Sequence, residues 1–184
     1  MSVPRWLRVI LTRYGVPYEV HHHPPVFSAS HLAHAEHISG YRVAKTVHLA
    51  ARGKPVTVVL PACTRLDLPW VQAVLGTLDV HFATEAEIAH WFKGCAPGTV
   101  PPLRLRADEE ILMDRGLAHL GLMLFPAGTP EDALVVRFRD WYRMVRPGVG
   151  RFALPVQGFV IPKPPPVGVL IEDEEEMGEL LVRF

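Results

Sequence analysis

The stretch Arg42-Val43-Ala44-Lys45-Thr46-Val47-His48-Leu49, followed by Pro55-Val56-Thr57-Val58-Val59-Leu60, decides how this chain folds. Both runs are rich in valine, threonine and leucine, residues that suit a pleated, half-buried surface. Arg52-Gly53-Lys54 between them reads as a hairpin loop. On the N-terminal side, Trp6, Leu7, Ile10, Leu11 and Tyr14 recur at helical spacing before Gly15. Residues 18–21 read as a short strand, and Ser28 or Ser30 caps a helix running through Ala35. On the C-terminal side, residues 69–75 form a helix with Pro69 in its first turn and Gly76 as its stop. Residues 80–82 are a strand. Thr84-x-x-Glu87 is a capping box that opens a helix through Phe92. Strands are expected at 111–113, 121–125 and 133–138, and a short helix at 140–145 ends before Pro147. Helices and strands mix without regular βαβ alternation, which predicts an α+β fold with a mixed sheet.

Composition narrows the class. The 184 residues suit one domain with an appendage. Hydrophobic residues make up 49% and charged residues 21%, enough to bury a core and too apolar for disorder. Lys+Arg and Asp+Glu are both 19, which excludes a polybasic nucleic-acid binder but allows a local basic patch. Arg42, Lys45, Arg52 and Lys54, on the strand and its hairpin, are the residues expected to form one. No apolar run is long enough for a transmembrane helix, and the N-terminus lacks signal-peptide features, so a cytoplasmic location is expected. Charge is uneven along the chain. Residues 1–147 carry 16 basic and 13 acidic residues, and residues 148–184 carry 3 and 6. The division is therefore a main body, 1–147, and an extension, 148–184. In the extension, a strand at 167–171 and a helix at 173–181 are expected to pack on the body or on a partner.

Few motifs carry chemistry. His21, His22 and His23 are consecutive, and His31, His34 and His37 follow at helical spacing. No HExxH or HxxEH pattern accompanies them, so surface histidines are favoured over a metal site. Cys63 and Cys95 stand 32 positions apart and read as buried or loop thiols. There is no GxSxG, GxxxxGK[ST] or GxGxxG. Two features remain. Lys45 and Thr46 interrupt a hydrophobic strand, which is either a solvated surface or a cation on a rigid strand aimed at a phosphate or carboxylate. The loop Gly94-Cys95-Ala96-Pro97-Gly98-Thr99-Val100-Pro101-Pro102 is either an ordinary turn or a stiff frame that presents backbone amides to an oxyanion.

Taken in order, these features resemble the YbaK/prolyl-tRNA-synthetase-associated domain family, the freestanding aminoacyl-tRNA deacylases. The resemblance covers about residues 4–147. It rests on Gly15 to Tyr18 and His23-Pro24, on Val43-Ala44-Lys45-Thr46-Val47, and on Leu60-Pro61-Ala62 with Arg65-Leu66-Asp67-Leu68. It continues through Gly98-Thr99-Val100-Pro101-Pro102, Leu112-Met113-Asp114, Ala127-Gly128-Thr129 and Arg139-Asp140-Trp141. Leu103-Arg104 stands where many relatives have Phe-Gly.

The resemblance implies a strongly curved sheet or partial barrel flanked by helices. It implies hydrolysis of the ester of a mischarged small amino acid on tRNA, above all proline tRNA. The alternative is a non-catalytic tRNA-end or protein-interaction module on the same fold. Lys45 and Gly98 are the catalytic residues it implies. Phe27, Thr46, Thr99, Val100, Pro101, Pro102, Ala127, Gly128 and Thr129 are the implied substrate-binding residues. No metal or cofactor is expected. The expected partners are aminoacyl-tRNA and prolyl-tRNA synthetase, with no membrane, and the expected state is a monomer or homodimer.

Overall fold

A computed structural model describes residues 3–156. The strand at 167–171 and the helix at 173–181 lie outside the described residues. The central hairpin pairs β2 (Ala44–Ala51) with β3 (Lys54–Pro61) in unbroken antiparallel register, from Ala44↔Pro61 to Ala51↔Lys54. Its turn is two residues, Arg52 at φ 49° and Gly53 at φ 71°. Two left-handed residues give the turn whose twist matches paired strands. Lys54, expected in the loop, is therefore the first residue of β3.

Three more strands complete a mixed sheet. β5 (Val80–Phe82) adds antiparallel to β2, β6 (Glu110–Asp114) adds parallel to β3, and β9 (Gly148–Gly150) adds parallel to β6. The order is β5-β2-β3-β6-β9. A second, antiparallel sheet has the order β1-β8-β7, from Tyr18–His22, Asp132–Arg137 and Leu122–Pro126. A bridge from Val43 to Leu124 joins the entrance of β2 to this second sheet. The described strands do not close into a barrel. A ribbon of β4 (Thr64–Leu66) and β10 (Ala153–Pro155) lies beside them.

Alternation along the hairpin divides the core, because successive side chains leave opposite faces. Ala44 and Val59 pack with Leu7 and Leu11 of α1 (Arg5–Arg13) and with Met113, Phe125 and Trp141. Leu49, Val58 and Leu60 pack on the other face with Val71 of α3 (Leu68–Leu75) and Phe152. α2 (Ala29–Ala35) buries Leu32 against Val43, Ala62 and Leu124.

The caps at Ser28 and Thr84 act as read, and Asp67 adds a third that was not singled out. Ser28 accepts from His31 N, Asp67 accepts from Trp70 N, and Thr84 with Glu87 forms the reciprocal box at α4 (Glu85–Trp91). One boundary moves. β8 stops at Arg137 and α5 (Phe138–Val145) begins with Phe138, because that ring turns into the core beside Trp141. Among the described residues no helix is long and apolar enough to cross a membrane.

Residues 148–156, counted with the extension from their charge, contribute β9 and β10 to the body's sheets. Asp114, at the end of β6, holds them. One carboxylate oxygen accepts from Gly116 N at 2.7 Å, and the other accepts from Phe152 N at 2.7 Å and Ala153 N at 2.8 Å. Asp114→Ala leaves three amides without an acceptor, two of them joining the last ribbon to the sheet. It is expected to cost about 3 kcal/mol, read as a lower urea midpoint with Asp114→Asn falling between it and the parent.

Candidate functional site

Lys45 and Thr46 are neighbours on β2 and so point to opposite faces. Lys45 Nζ donates to the carbonyl of Thr64 and lies 3.5 Å from that of Ala62. Ser30 Oγ, on α2, donates to the same Ala62 carbonyl at 3.2 Å. The lysine is half-buried, and burial draws its pKa down from the ordinary value. Cys63 lies between the two carbonyls that Lys45 uses. Burial pushes its thiol up, opposed by a hydrogen bond with Tyr41 and by the Lys45 charge. The Tyr41 hydroxyl is itself raised, by burial and then by Cys63. This Lys45–Cys63–Tyr41 cluster has no signature in sequence, since the Gly40–Arg42 turn and β4 meet only through the fold.

Thr46 serves the other face. Its Oγ1 donates to the Val100 carbonyl at 3.0 Å and ties the 94–102 loop to the strand. That loop is fixed at further points. Thr99 N and Thr99 Oγ1 both donate to the Ala96 carbonyl, at 3.1 and 2.8 Å. Ala96 N donates to Gly128 O at 3.0 Å, and Gly128 N donates to Thr99 O at 2.9 Å. Trp141 Nε1 donates to Pro102 O at 2.7 Å. Thr99, Val100, Pro101 and Pro102 are all buried. Among the described residues none accepts a hydrogen bond from the Gly98 or Val100 amide.

Gly98 stands where only glycine fits. Its φ is +74°, and an added Cβ would lie 2.1 Å from the Phe27 carbonyl oxygen. The Phe27 ring itself is exposed. The segment before it is bound to the Gly128 loop, with His23 N donating to Glu131 O at 3.0 Å and Val26 N to Pro130 O at 2.8 Å. Phe27, Thr46, Gly98, Thr99, Val100, Pro101, Pro102, Ala127, Gly128 and Thr129 thus belong to one connected network. Lys45 lies outside these bonds and shares the Ala62 carbonyl with Ser30 of α2.

Asp132 was not singled out from sequence. It is fully buried at the start of β8. Its Oδ2 accepts from Thr129 Oγ1 at 2.7 Å, and its backbone oxygen accepts from Ala127 N. Oδ1 has no aligned hydrogen bond, although His22 Nδ1 approaches it to 2.5 Å as a charge contact. Asp132 is therefore a buried acid that ties Thr129 and Ala127 of the Gly128 loop to the start of β8, with His22 at its second oxygen. The only local signal was an acid just before a strand, which ordinarily means a solvated turn.

The basic residues do not converge. Arg52 and Lys54 sit at the hairpin tip, six residues along β2 from Lys45, or about 20 Å. Arg52 instead reaches the Gly76 carbonyl at 3.4 Å. The expected four-residue patch is therefore divided, with only Arg42 near Lys45 in the chain. The histidines have separate partners. His21 Nδ1 meets Glu36 Oε2 at 2.6 Å, and His23 Nδ1 meets the Pro24 carbonyl at 2.9 Å. Among the described residues no three metal-binding side chains converge.

Residues 23–144 match the profile of the aminoacyl-tRNA editing domain. No curated protein matches the chain. Among solved structures it is similar to the hypothetical protein APE2540, at 19% identity and TM-score 0.74, over 80% of this chain and 99% of the other. It is similar also to a candidate trans-editing enzyme for prolyl tRNA synthetase, at 19% identity and TM-score 0.73, over 83% and 99% of the two chains. At these identities the likeness concerns the fold.

Two predictions test the local geometry. Gly98→Ala is expected to cost about 1–2 kcal/mol from the left-handed backbone alone, and to displace Phe27, seen as shifted Phe27 and Gly98 amide resonances. The second concerns pH. The Glu36 hydrogen bond raises the His21 pKa above its ordinary 6.5, opposed by burial. A raised folded pKa stabilises below the unfolded value, and that contribution is lost as pH rises through the folded pKa. Glu36→Gln is expected to return the His21 titration toward 6.5, followed by NMR. An unmoved His21 pKa would count against the pairing.

Proposed function

The chain belongs to the aminoacyl-tRNA editing family, and on that membership we propose that it is a trans-editing deacylase. Its substrate is a small amino acid esterified to the wrong tRNA, above all proline tRNA. The observation that carries this reading is the 98–102 loop, held rigid from several sides, with the Gly98 and Val100 amides lacking an acceptor among the described residues. The enzyme acts in the cytoplasm, after prolyl-tRNA synthetase has released its mischarged product.

The chemistry asks little of side chains. An aminoacyl ester is already activated. A water, oriented by the neighbouring ribose hydroxyl, attacks its carbonyl carbon and gives a proton to the leaving ribose oxygen, while negative charge develops on the carbonyl oxygen. The two amides receive that charge without having to reorganise, and one such donor is typically worth about 100- to 1000-fold. Lys45 holds the terminal phosphate as a compact point charge, its remaining protons kept in place by the Ala62 and Thr64 carbonyls. Selection is steric. A pliant apolar pocket separates one methylene by only about 1–3 kcal/mol, whereas a loop fixed by Thr46, Gly128 and Trp141 cannot yield to a larger side chain.

The test is single-turnover hydrolysis of a panel of mischarged tRNAs. The parent protein is expected to release alanine or cysteine from proline tRNA. Lys45→Ala is expected to lose about 10- to 150-fold, the scale of a charge-assisted contact, with an unchanged far-UV spectrum. Lys45→Arg restores part of it, because a planar fork fits poorly where an ammonium sat. Cys63→Ser and Cys95→Ser change the rate far less. Full activity in Lys45→Ala overturns the assignment of the lysine. A parent protein that binds these tRNAs and hydrolyses none is the non-catalytic module instead.

A further inference from the structure

Beneath residues 92–109 runs a chain of polar side chains that the proposed hydrolysis does not use. His48 Nδ1 lies 3.0 Å from Oγ1 of Thr57, its cross-strand partner in the central hairpin. Thr57 Oγ1 donates to Glu109 Oε1 at 2.6 Å, and Leu105 N donates to Glu109 Oε2 at 2.9 Å. Thr57 and Glu109 are 1% and 2% exposed. The His48 ring packs on Phe92 with centroids 4.6 Å apart. Phe92 and Glu109 bracket the segment that contains the 98–102 loop, and each is tied to one strand of the same hairpin.

Counting hydrogens gives the chain a direction. A hydroxyl has one hydrogen. That of Thr57 goes to the carboxylate, so imidazole donates the other bond. Nδ1 of His48 then carries the hydrogen, and Nε2 is a bare acceptor. Burial lowers the His48 pKa to about 4, so the ring is neutral near pH 7 and its tautomer is the variable. Burial pushes the Glu109 carboxyl up, and the bonds from Thr57 and Leu105 and the charge of Arg104 oppose this. Arg104 also donates to the Glu109 backbone carbonyl, and Arg106 is paired with Asp108.

We propose that His48, Thr57 and Glu109 form a positioning latch for the 98–102 loop, in which the Glu109 carboxylate acts through Thr57 to hold His48 in its Nδ1-protonated tautomer. The latch fixes the two ends of the segment while Thr46 fixes its middle. Its kinetic consequence rests on the editing reading. Its tautomeric consequence does not.

Glu109→Gln separates the two. The glutamine must give its carbonyl to Leu105 N and turn its amide toward Thr57. Thr57 then donates to His48 Nδ1, and the ring hydrogen moves to Nε2. In side-chain nitrogen NMR of the full chain at pH 7, His48 is expected to be Nδ1-protonated in the parent and Nε2-protonated in Glu109→Gln. The same tautomer in both overturns the latch. Thr57→Val breaks the chain without changing charge. It is expected to speed hydrogen exchange at the Thr99 amide and to lower kcat on mischarged tRNA about tenfold, the scale of one positioned hydrogen bond. KM should stay within about twofold, and Thr57→Ser should restore both readouts. An unchanged Thr99 exchange rate overturns the positioning claim. If the parent hydrolyses no aminoacyl-tRNA, the editing reading fails, and the tautomer and exchange results alone decide the latch.

Discussion

Strand β2 cannot send two successive side chains to the same face, and the site depends on that constraint. Lys45 reaches the Ala62 and Thr64 carbonyls on one side, while Thr46 reaches the Val100 carbonyl on the other. Each face belongs to a different part of the core. A slip of one residue would carry Lys45 onto the face where Ala44 packs with Leu7 and Trp141, an apolar setting for an ammonium. The two-residue turn at Arg52 and Gly53 sets the register from one end, and the Val43–Leu124 bridge meets it at the other.

Several of the interior polar groups are spent on backbone. Thr46, Ser30 and Trp141 donate to carbonyls, and Asp114 accepts from three amides. Such bonds add modest net stability, because the groups were already hydrogen-bonded to water. What they add is uniqueness. An alternative loop position would leave buried carbonyls or amides unpaired, and that penalty exceeds the gain from any one bond. A loop held this way is suited to rejecting ligands by shape, since it has no neighbouring low-energy conformation into which to relax. Gly98 shows the same economy of space. The Phe27 carbonyl occupies the volume a side chain would need, so the loop and the Phe27 segment set each other's position.

Much of this was legible in sequence where the signal was local. The capping residues Ser28 and Thr84, the helix stop at Gly76 and the central hairpin are decided by the few residues around them. What was missed is decided at long range. β9 and β10 are three residues each, too short to show periodicity, and they exist because Asp114 and β4 offer partners. Charge placed a boundary at 147, although Phe152 belongs to the core. Phe138 read as the end of a strand because a buried aromatic suits either state. In the site, Lys45 and the 98–102 loop stood out through their residue types and a family resemblance. Asp132, Glu109 and Thr57 did not, because an acid or a threonine in sequence carries no mark of burial.

The balance of charge bears on how such a site finds its substrate. A chain with zero net charge casts little long-range field, and Arg52 and Lys54 lie at the far end of the hairpin from Lys45. Steering by a broad basic surface is therefore weak. Selectivity then rests on contacts made after encounter, where a half-buried lysine and backbone amides act at short range in a poorly screened setting. On the proposed editing function, that arrangement suits an enzyme that must release correctly charged tRNA as readily as it meets it. Tight electrostatic capture would hold right and wrong substrates alike, whereas a rigid loop distinguishes them only at the ester.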